Sequence, residues 1–190
     1  MEKKFELTGN LVINAFGIKL FQIKCTKSFK YANKGDLGGY VEKEDNLSQS
    51  GDAWVYGDAQ VYGNARVSGN ARVYGNAWVS GDARVYGDAL VYGDAWVYGD
   101  ARVSGNAQVY GDARVENDHM HCGFDCFGSC NRHTHAYKTK GNKVEITCGC
   151  FRGSLEEFEK KVEETHKGTI YEKQYKAIIN LIKIKFGIDG

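Results

Sequence analysis

At 190 residues, the chain is long enough for one domain with appendages, or for one solenoid with a cap at each end. Its 25 Lys and Arg residues almost balance its 24 Asp and Glu residues, which excludes a strong overall field for nucleic acid or membrane. No stretch approaches the roughly 20 apolar residues of a membrane span, and the first residues lack the apolar core of a signal peptide. We therefore expect a cytoplasmic protein whose cysteines are reduced.

Residues 1–38 contain short apolar runs that predict a small β cap. The runs read FELT from Phe5, LVINAF from Leu11 and KLFQIKC from Lys19. Their mixture of apolar and polar residues is typical of strands with one buried face. A cap of this kind would cover the exposed strand edges of whatever follows it.

The segment from Gly51 to Glu116 consists of eleven hexads without insertion, beginning GDAWVY, GDAQVY and GNARVS. Ala and Val alternate with polar or aromatic residues, which is the pattern of a strand with one buried face. Gly followed by Asp or Asn supplies a turn in every hexad. A hexad is too short for a hairpin, but three hexads can complete one coil that pairs with the next coil. We predict a parallel β-helix of just under four coils, with Ala and Val inside.

Two looser hexads precede this run and extend the predicted β-helix to residues 39–116. They are Gly39–Glu44 and Asp45–Ser50. Counted from the perfect hexads, they place Val41 and Leu47 in the phase of the alanines. We expect them to form a lead-in to the first coil.

The variable positions of the hexads fall on three outer faces, because every third hexad stacks on the same face. Tyr, Trp and Arg are enriched in the hot spots of interfaces. We predict that a partner binds through Trp54, Trp78, Trp96, Tyr56, Tyr74, Tyr92, Tyr110, Arg66, Arg84 and Arg102. The alternative is that the aromatic ladders only stabilise exposed sheet surface. Asp82 and Asp100 lie in the same hexads as two of the arginines and would partly neutralise them, which disfavours nucleic acid as the partner.

The chemistry changes after the last hexad, in a predicted C-terminal module of residues 117–190. The run DHMHCGFDCFGSCNRHTH from Asp118 and the later CGC supply nine potential metal ligands within 32 positions. Tetrahedral zinc needs four ligands, commonly thiolates and imidazoles. We predict a structural zinc site, and no organic cofactor, with candidate ligands Cys122, Cys126, Cys130, Cys148 and Cys150. The alternative is a loop of reduced thiols and solvent-facing histidines.

The rest of this module predicts a ββαα unit. HAYKTK and KVEITC are joined by Gly141 and Asn142, which favour a hairpin turn. The sequence SLEE, from Ser154, is a capping box that begins a first helix. Thr169 stands at the same position before a second helix.

The hexads resemble the hexapeptide-repeat superfamily, whose left-handed β-helix is best known from trimeric acyltransferases. The string KGDLGGYVEKEDNLS at Lys34–Ser48 and the segment CGCFRGSLEEFEKKVEETH at Cys148–His166 are similar to proteins of phages and prophages. The resemblance implies a left-handed, mainly β fold and a phage or mobile-element origin. It also implies a host protein or protein complex as the partner, and inhibition of a host defence system such as CRISPR or another anti-phage system.

We predict a non-catalytic binding scaffold that acts by protein–protein interaction, with assembly into a dimer or trimer. The acyltransferases use a histidine base, and residues 51–116 contain no histidine, so the repeats offer no general base. The first alternative is an acyltransferase whose base is donated by His119, His121 or His133 in a trimer. The second is a zinc-dependent nucleic-acid-binding module, which would need a basic surface around Cys122–Lys143.

Overall fold

A computed structural model describes residues 2–188, and the chain divides into two compact units, Met1–Asn117 and Asp118–Gly190. Within residues 2–188, the first unit contains strands and a single turn of 3-10 helix at Glu44–Asn46, and the second contains strands and two helices. The predicted mainly β fold class is confirmed. Among the described residues, no helix is long and apolar enough to cross a membrane.

Three longer strands at the N-terminus form the predicted β cap. They are β1 (Phe5–Ile13), β2 (Lys19–Cys25) and β3 (Leu37–Val41), and each pairs antiparallel with the next. The third strand then pairs in parallel with a strand of the repeats. The cap therefore continues one sheet of the repeat structure.

The eleven hexads form eleven two-residue strands, one in each hexad. In chain order these are β4 (Trp54–Val55), β5 (Gln60–Val61), β6 (Arg66–Val67), β7 (Arg72–Val73), β8 (Trp78–Val79), β9 (Arg84–Val85), β10 (Leu90–Val91), β11 (Trp96–Val97), β12 (Arg102–Val103), β13 (Gln108–Val109) and β14 (Arg114–Val115). Every third strand pairs in parallel, which gives the three sheets β4-β7-β10-β13, β1-β2-β3-β5-β8-β11-β14 and β6-β9-β12. The predicted parallel β-helix is confirmed.

The interior of the solenoid contains the Ala and Val of every hexad, as predicted. The alanines are at most 3% exposed and the valines at most 1%. At the corners, the glycine of each hexad has a positive φ, and most of these glycines lie against the glycine one coil further along the chain. A Cβ on Gly87 would lie 2.8 Å from the backbone nitrogen of Gly105 in the next coil. Glycine is thus required both by its backbone angle and by the close approach of successive coils.

At three corners, the side chain of the residue after the glycine joins one coil to the next. An Asn amide donates to an Asp carboxylate one coil further along the chain. These bonds connect Asn64 to Asp82 at 3.1 Å, Asn70 to Asp88 at 3.0 Å and Asn76 to Asp94 at 3.0 Å. Some hexads have Asn and others Asp after the glycine, and this difference allows the hydrogen bonds between coils.

The lead-in hexads join the solenoid, but not in the predicted phase. Val41 stacks beside Val61 and Leu47 beside Val67, so both residues continue the valine column and not the alanine column. Equivalent residues of successive hexads are six positions apart, but Leu47 lies eight positions before Val55. These two extra residues move the lead-in from the alanine phase to the valine phase. The longer connection contains Gln49, whose side chain bonds to the backbone of β1 and so helps to attach the cap.

The second unit is an antiparallel sheet covered by two helices. The strands pair in chain order as β15 (His121–Phe127), β16 (Arg132–Lys138), β17 (Val144–Cys148) and β18 (Phe151–Ser154), followed by α1 (Leu155–His166) and α2 (Ile170–Phe186). The prediction of two strands was therefore incomplete, because the Cys/His run forms a strand and the CGC segment leads into another. Both helices begin where predicted, capped by Ser154 and Thr169.

One face of this sheet and the two helices enclose a hydrophobic core. Its buried members are Ala136, Val144, Ile146, Cys148, Leu155, Phe158, Val162, Tyr175, Ile178, Ile179 and Ile182. Cys122 and Phe124 pack against it from β15. The other face of β15 and β16 carries histidines, because side chains alternate between the two faces of a strand.

Candidate functional site

The first face of the solenoid is partly covered by residues of the cap. Trp54 is 1% exposed. The rings of Phe5 and Phe29 meet its ring edge-on, with centroids 6.3 and 5.4 Å from the centroid of Trp54. The guanidinium of Arg72 lies over the ring of Tyr31, 4.8 Å from the centroid of that ring. The structure thus corrects one predicted binding residue: Trp54 belongs to the core and offers no surface to a partner.

The predicted tyrosine ladder forms on the same face. Successive ring centroids lie 6.5 Å apart for Tyr56 and Tyr74, 4.7 Å for Tyr74 and Tyr92, and 5.4 Å for Tyr92 and Tyr110. Tyr92 is only 8% exposed, and burial raises the pKa of Tyr56. The tyrosines therefore cover the outside of this sheet mainly by packing on one another, as expected of stacked aromatic pairs.

The second face carries an aromatic groove, lined by Phe16, Tyr62, Trp78, Ser80, Trp96, Tyr98 and Arg114. Trp78 and Trp96 stack almost parallel, with centroids 4.7 Å apart and an interplanar angle of 10°. The guanidinium of Arg114 lies 4.2 Å from the ring centroid of Trp96. The cavity has a volume of about 410 Å³. Both tryptophans are half-buried, so they are fixed in position and still accessible.

One wall of the aromatic groove comes from the turn between β1 and β2. Phe16 is 60% exposed, yet its ring meets Trp78 edge-on at 5.7 Å. The backbone N–H groups of Phe16 and Ile18 both donate to the side-chain oxygen of Asn14, at 3.0 Å each. This turn is therefore held by its own hydrogen bonds, and it presents a large apolar side chain to solvent at the edge of the groove.

The third face carries the predicted arginine ladder. Arg66 pairs with Arg84, and Arg84 with Arg102, in the register of the sheet, and all three side chains are exposed. They line a broad cavity of about 660 Å³ together with Glu44 and Asp45. Like charges directly opposite each other in a sheet are unfavourable. The two carboxylates offset this charge at one end of the ladder.

The five cysteines predicted as metal ligands lie in different surroundings in the second unit. Cys122 packs on the hydrophobic core, and burial raises the pKa of its thiol to about 11. Cys148 is buried and accepts a hydrogen bond of 3.3 Å from the Thr134 hydroxyl. Cys126, Cys130 and Cys150 are exposed.

Three of these thiols line one cavity of about 300 Å³, namely Cys130, Cys148 and Cys150. Arg132 shares this cavity, and its pKa is raised chiefly by the neighbouring Cys130, with a hydrogen bond to Cys150 acting in the same direction. A guanidinium beside the thiols competes with a metal cation for them. The cysteine zinc site stays a prediction.

The opposite face of the same sheet brings three histidines and two carboxylates together. His121 Nδ1 lies 3.0 Å from His135 Nε2, and His133 Nδ1 lies 2.7 Å from Asp125 Oδ1. The Asp118 carboxylate lies 3.5 Å from His121 Nε2. His135 is 1% exposed, and the side chains of His121 and His133 are 12% and 11% exposed. We call His121, His133 and His135 the histidine cluster.

Comparison with known families gives a match within the solenoid. Residues 59–71, 65–81, 83–99 and 107–119 are similar to the YdcK Beta solenoid repeat. The repeat character of this region is thus shown by sequence similarity as well as by structure. No curated protein matches the chain.

Two features of these sites were missed from the sequence. Phe16 lies far from the hexads in the chain, and only the pairing of β1, β2 and β3 with the solenoid brings it to Trp78. The histidine cluster did have a readable signal. In RHTHAYK, His133 and His135 stand two positions apart, which places both side chains on the same face of a strand.

Proposed function

We propose that this protein is a non-catalytic scaffold that binds a protein partner through the aromatic groove of its second face. The observation that supports this most strongly is the rigid, half-exposed Trp78–Trp96 stack beside the exposed Phe16. Large aromatic side chains held on a stiff frame lose little conformational entropy on binding, and they are over-represented among interface hot spots.

The chemistry of the groove favours a protein segment that inserts an apolar or aromatic side chain. The lining is aromatic apart from Ser80 and Arg114. The guanidinium of Arg114 already donates to backbone carbonyls of Asp94 and Ala113, at 3.0 and 2.8 Å. It is therefore occupied by the solenoid itself, and the groove provides little free positive charge for a nucleic acid.

The first and third faces support partner binding less well. On the first face, Trp54 is buried and the tyrosines are largely packed on one another. On the third face, the arginines are long, exposed side chains whose ordering on binding costs entropy. Arg66, Arg84 and Arg102 were predicted to bind the partner, and we expect them to affect the rate of association more than the affinity.

A scaffold is favoured over an acyltransferase because the repeat cavities carry no histidine. The linings of the cavities on the second and third faces contain aromatic, hydroxyl, amide, arginine and carboxylate side chains. An acyltransferase of the superfamily needs an imidazole base close to its acceptor. Assay of the purified protein with acyl-CoA donors is expected to give no turnover above background.

A finer proposal concerns the biological setting. We infer a phage or mobile-element protein that acts in the host cytoplasm and antagonises an anti-phage defence system by binding one of its proteins. Its support is the resemblance of Lys34–Ser48 and Cys148–His166 to phage proteins. The test is phage plating on bacteria that carry a defined defence system and express this chain. Restored plating is expected, and unchanged protection in every defence system tried would contradict the finer proposal alone.

The test of the scaffold proposal compares two pairs of substitutions in crosslinking capture from a bacterial lysate. Trp78→Ala with Trp96→Ala removes the centre of the aromatic groove, whereas Arg84→Ala with Arg102→Ala changes the third face, which belongs to a different sheet of the same solenoid. Loss of a hot-spot aromatic costs about 2 kcal/mol or more, which is roughly a 30-fold loss of affinity. The tryptophan variant is therefore expected to lose a partner that the arginine variant retains, while both keep the circular dichroism of the solenoid.

Two outcomes would contradict the scaffold proposal. One is a partner that both variants bind with equal affinity. The other is acyl transfer by the purified chain that disappears on substitution of His119, His121 or His133.

A further inference from the structure

We propose that the histidine cluster binds one divalent transition-metal ion of the zinc class. The three ligands would be Nδ1 of His121, Nε2 of His133 and Nε2 of His135. All three come from the paired strands β15 and β16, on the face of the sheet that does not contact its helices. The inference does not depend on the proposed function of the solenoid.

The first argument concerns His133. Its Nδ1 lies 2.7 Å from the Asp125 carboxylate, so Nδ1 carries the proton and donates it to Oδ1. The other ring nitrogen, Nε2, then presents a lone pair, and it is buried without a hydrogen-bond partner among residues 2–188. A carboxylate that orients a histidine in this way, with the second nitrogen left as a ligand, is typical of protein metal sites.

The second argument concerns the pair His121 and His135. Their facing nitrogens are 3.0 Å apart and must share a single proton, because one nitrogen can donate only if the other accepts. Zinc binds imidazole nitrogens at about 2.0–2.1 Å, which places two tetrahedral ligands roughly 3.3 Å apart. The observed separation is close to that value. The distance between the two nitrogens therefore suits a shared metal ion, once the rings rotate so that both lone pairs point at it.

The third argument concerns the space between the rings. Gly123 lies on β15 two positions after His121, and it pairs directly with His135. The His133 ring leans over it, so that a Cβ on Gly123 would lie 2.9 Å from His133 Nε2. The absence of a side chain at Gly123 thus lets His133 come to the other two histidines from across the strand.

The arrangement is close to a metal site but is not yet one. As the side chains stand in residues 2–188, no three His, Cys, Asp or Glu residues are grouped so as to hold a metal ion. His121 and His135 bond to each other, and His133 bonds to Asp125. Binding requires the His133 ring to turn toward the pair. Asp118 and Asp125 lie beside the outer nitrogens of His121 and His133, and their two negative charges offset those of a divalent cation.

This ligand set is distinct from the five predicted cysteines. Cys122 alternates with His121 along β15 and therefore faces the hydrophobic core on the other side of the sheet. Cys130 and Cys150 line the cavity that contains Arg132. A three-histidine site would also leave a position for water or an exchangeable ligand, as in zinc sites with three protein ligands.

The experiment is a competition titration of the metal-free full chain with Zn²⁺ against a chromogenic chelator, followed by Co²⁺ absorption. One metal ion per chain is expected. His133→Gln should abolish tight binding, and Asp125→Asn, which only frees the orientation of His133, should weaken it by about 10- to 100-fold. His119→Gln is the matched control, because His119 is exposed and lies two residues before the cluster. The Co²⁺ spectrum should lack thiolate charge-transfer absorption.

Three results would overturn the inference. The first is wild-type protein that leaves all Zn²⁺ with the chelator. The second is unchanged affinity in His133→Gln, with circular dichroism showing that the variant is folded. The third is loss of metal binding in Cys130→Ser with Cys150→Ser, together with a thiolate band in the Co²⁺ spectrum, which would transfer the site to the cysteines.

Discussion

The stacked corner glycines allow a direct test of how tightly the coils of the solenoid approach each other. Gly57 and Gly87 both have positive φ, at +56° and +71°. A Cβ on Gly57 would meet no atom within 4 Å, whereas a Cβ on Gly87 would lie 2.8 Å from the backbone nitrogen and 3.2 Å from the Cα of Gly105. Alanine at the two positions therefore separates the strain of the backbone angle from the clash between coils.

The expected magnitudes follow from these two terms. An L-residue in the left-handed region costs about 1–2 kcal/mol, and the smaller conformational entropy of the unfolded chain returns about 0.4–1 kcal/mol of this. Gly57→Ala should thus lower the free energy of unfolding by roughly 1 kcal/mol. Gly87→Ala carries the same strain, and it must also push apart two backbones that cannot rotate away, which adds about 1–3 kcal/mol as in overpacked cores.

The assay is urea unfolding of the two variants, followed by circular dichroism and by the fluorescence of the stacked tryptophans. Two probes are needed because repeat arrays can open in segments. The expected order of stability is wild type, Gly57→Ala, then Gly87→Ala. Equal losses in both variants would show that backbone strain alone sets the cost. The claim of close coil contact would then be wrong.

Two further predictions concern the cap and the second unit. Lys4 is buried and donates to the Ala53 carbonyl at 2.8 Å, and burial lowers its pKa to about 8 from an ordinary value of 10.5. Above pH 8 the unfolded chain therefore holds a proton at Lys4 that the folded chain has lost, so this group contributes an increase in the free energy of unfolding between about pH 8 and pH 10. The contribution is the difference between the wild-type and Lys4→Met curves of pH-dependent unfolding, and parallel curves would contradict it. Ser154 accepts from the Glu157 N–H at 3.1 Å, and Ser154→Ala should destabilise the second unit by about 1 kcal/mol, measured by thermal unfolding, with the exposed Ser129→Ala as the control that should change little.

The solenoid could be predicted from sequence because all its determinants are local. Each hexad contains its own turn and its own inward-facing pair, as in Ala83 and Val85, and stacking repeats the same contacts. The phase of Val41 could not be predicted, because it depends on the longer connection that brings Gln49 to β1. That contact joins residues more than forty positions apart and has no counterpart in the repeat pattern.

The binding residues were harder to predict than the fold for the same reason. Trp54, Trp78 and Trp96 occupy equivalent positions in their hexads, yet Trp54 is buried beneath Phe5 and Phe29. Sequence periodicity assigns a residue to a face of the solenoid. Which residues of a face are exposed depends on where the chain of the N-terminal cap covers it. In the second unit, the number of cysteines predicted a thiol site. The alternation of side chains along β15 instead places Cys122 against the core and His121 on the opposite side of the sheet.

The bonds between Asn and Asp also constrain how this solenoid can change length in evolution. They connect residues 18 positions apart, which is one complete coil. Gain of one coil would lengthen the stack by about 4.8 Å, and loss of one would shorten it by the same amount. The remaining side chains would all stay on their original faces. Gain or loss of a single hexad between Trp78 and Trp96 would instead move Trp96 and all later residues to a neighbouring face and separate Trp96 from Trp78. Related chains should therefore differ by whole coils, so that the aromatic groove lengthens or shortens one rung at a time.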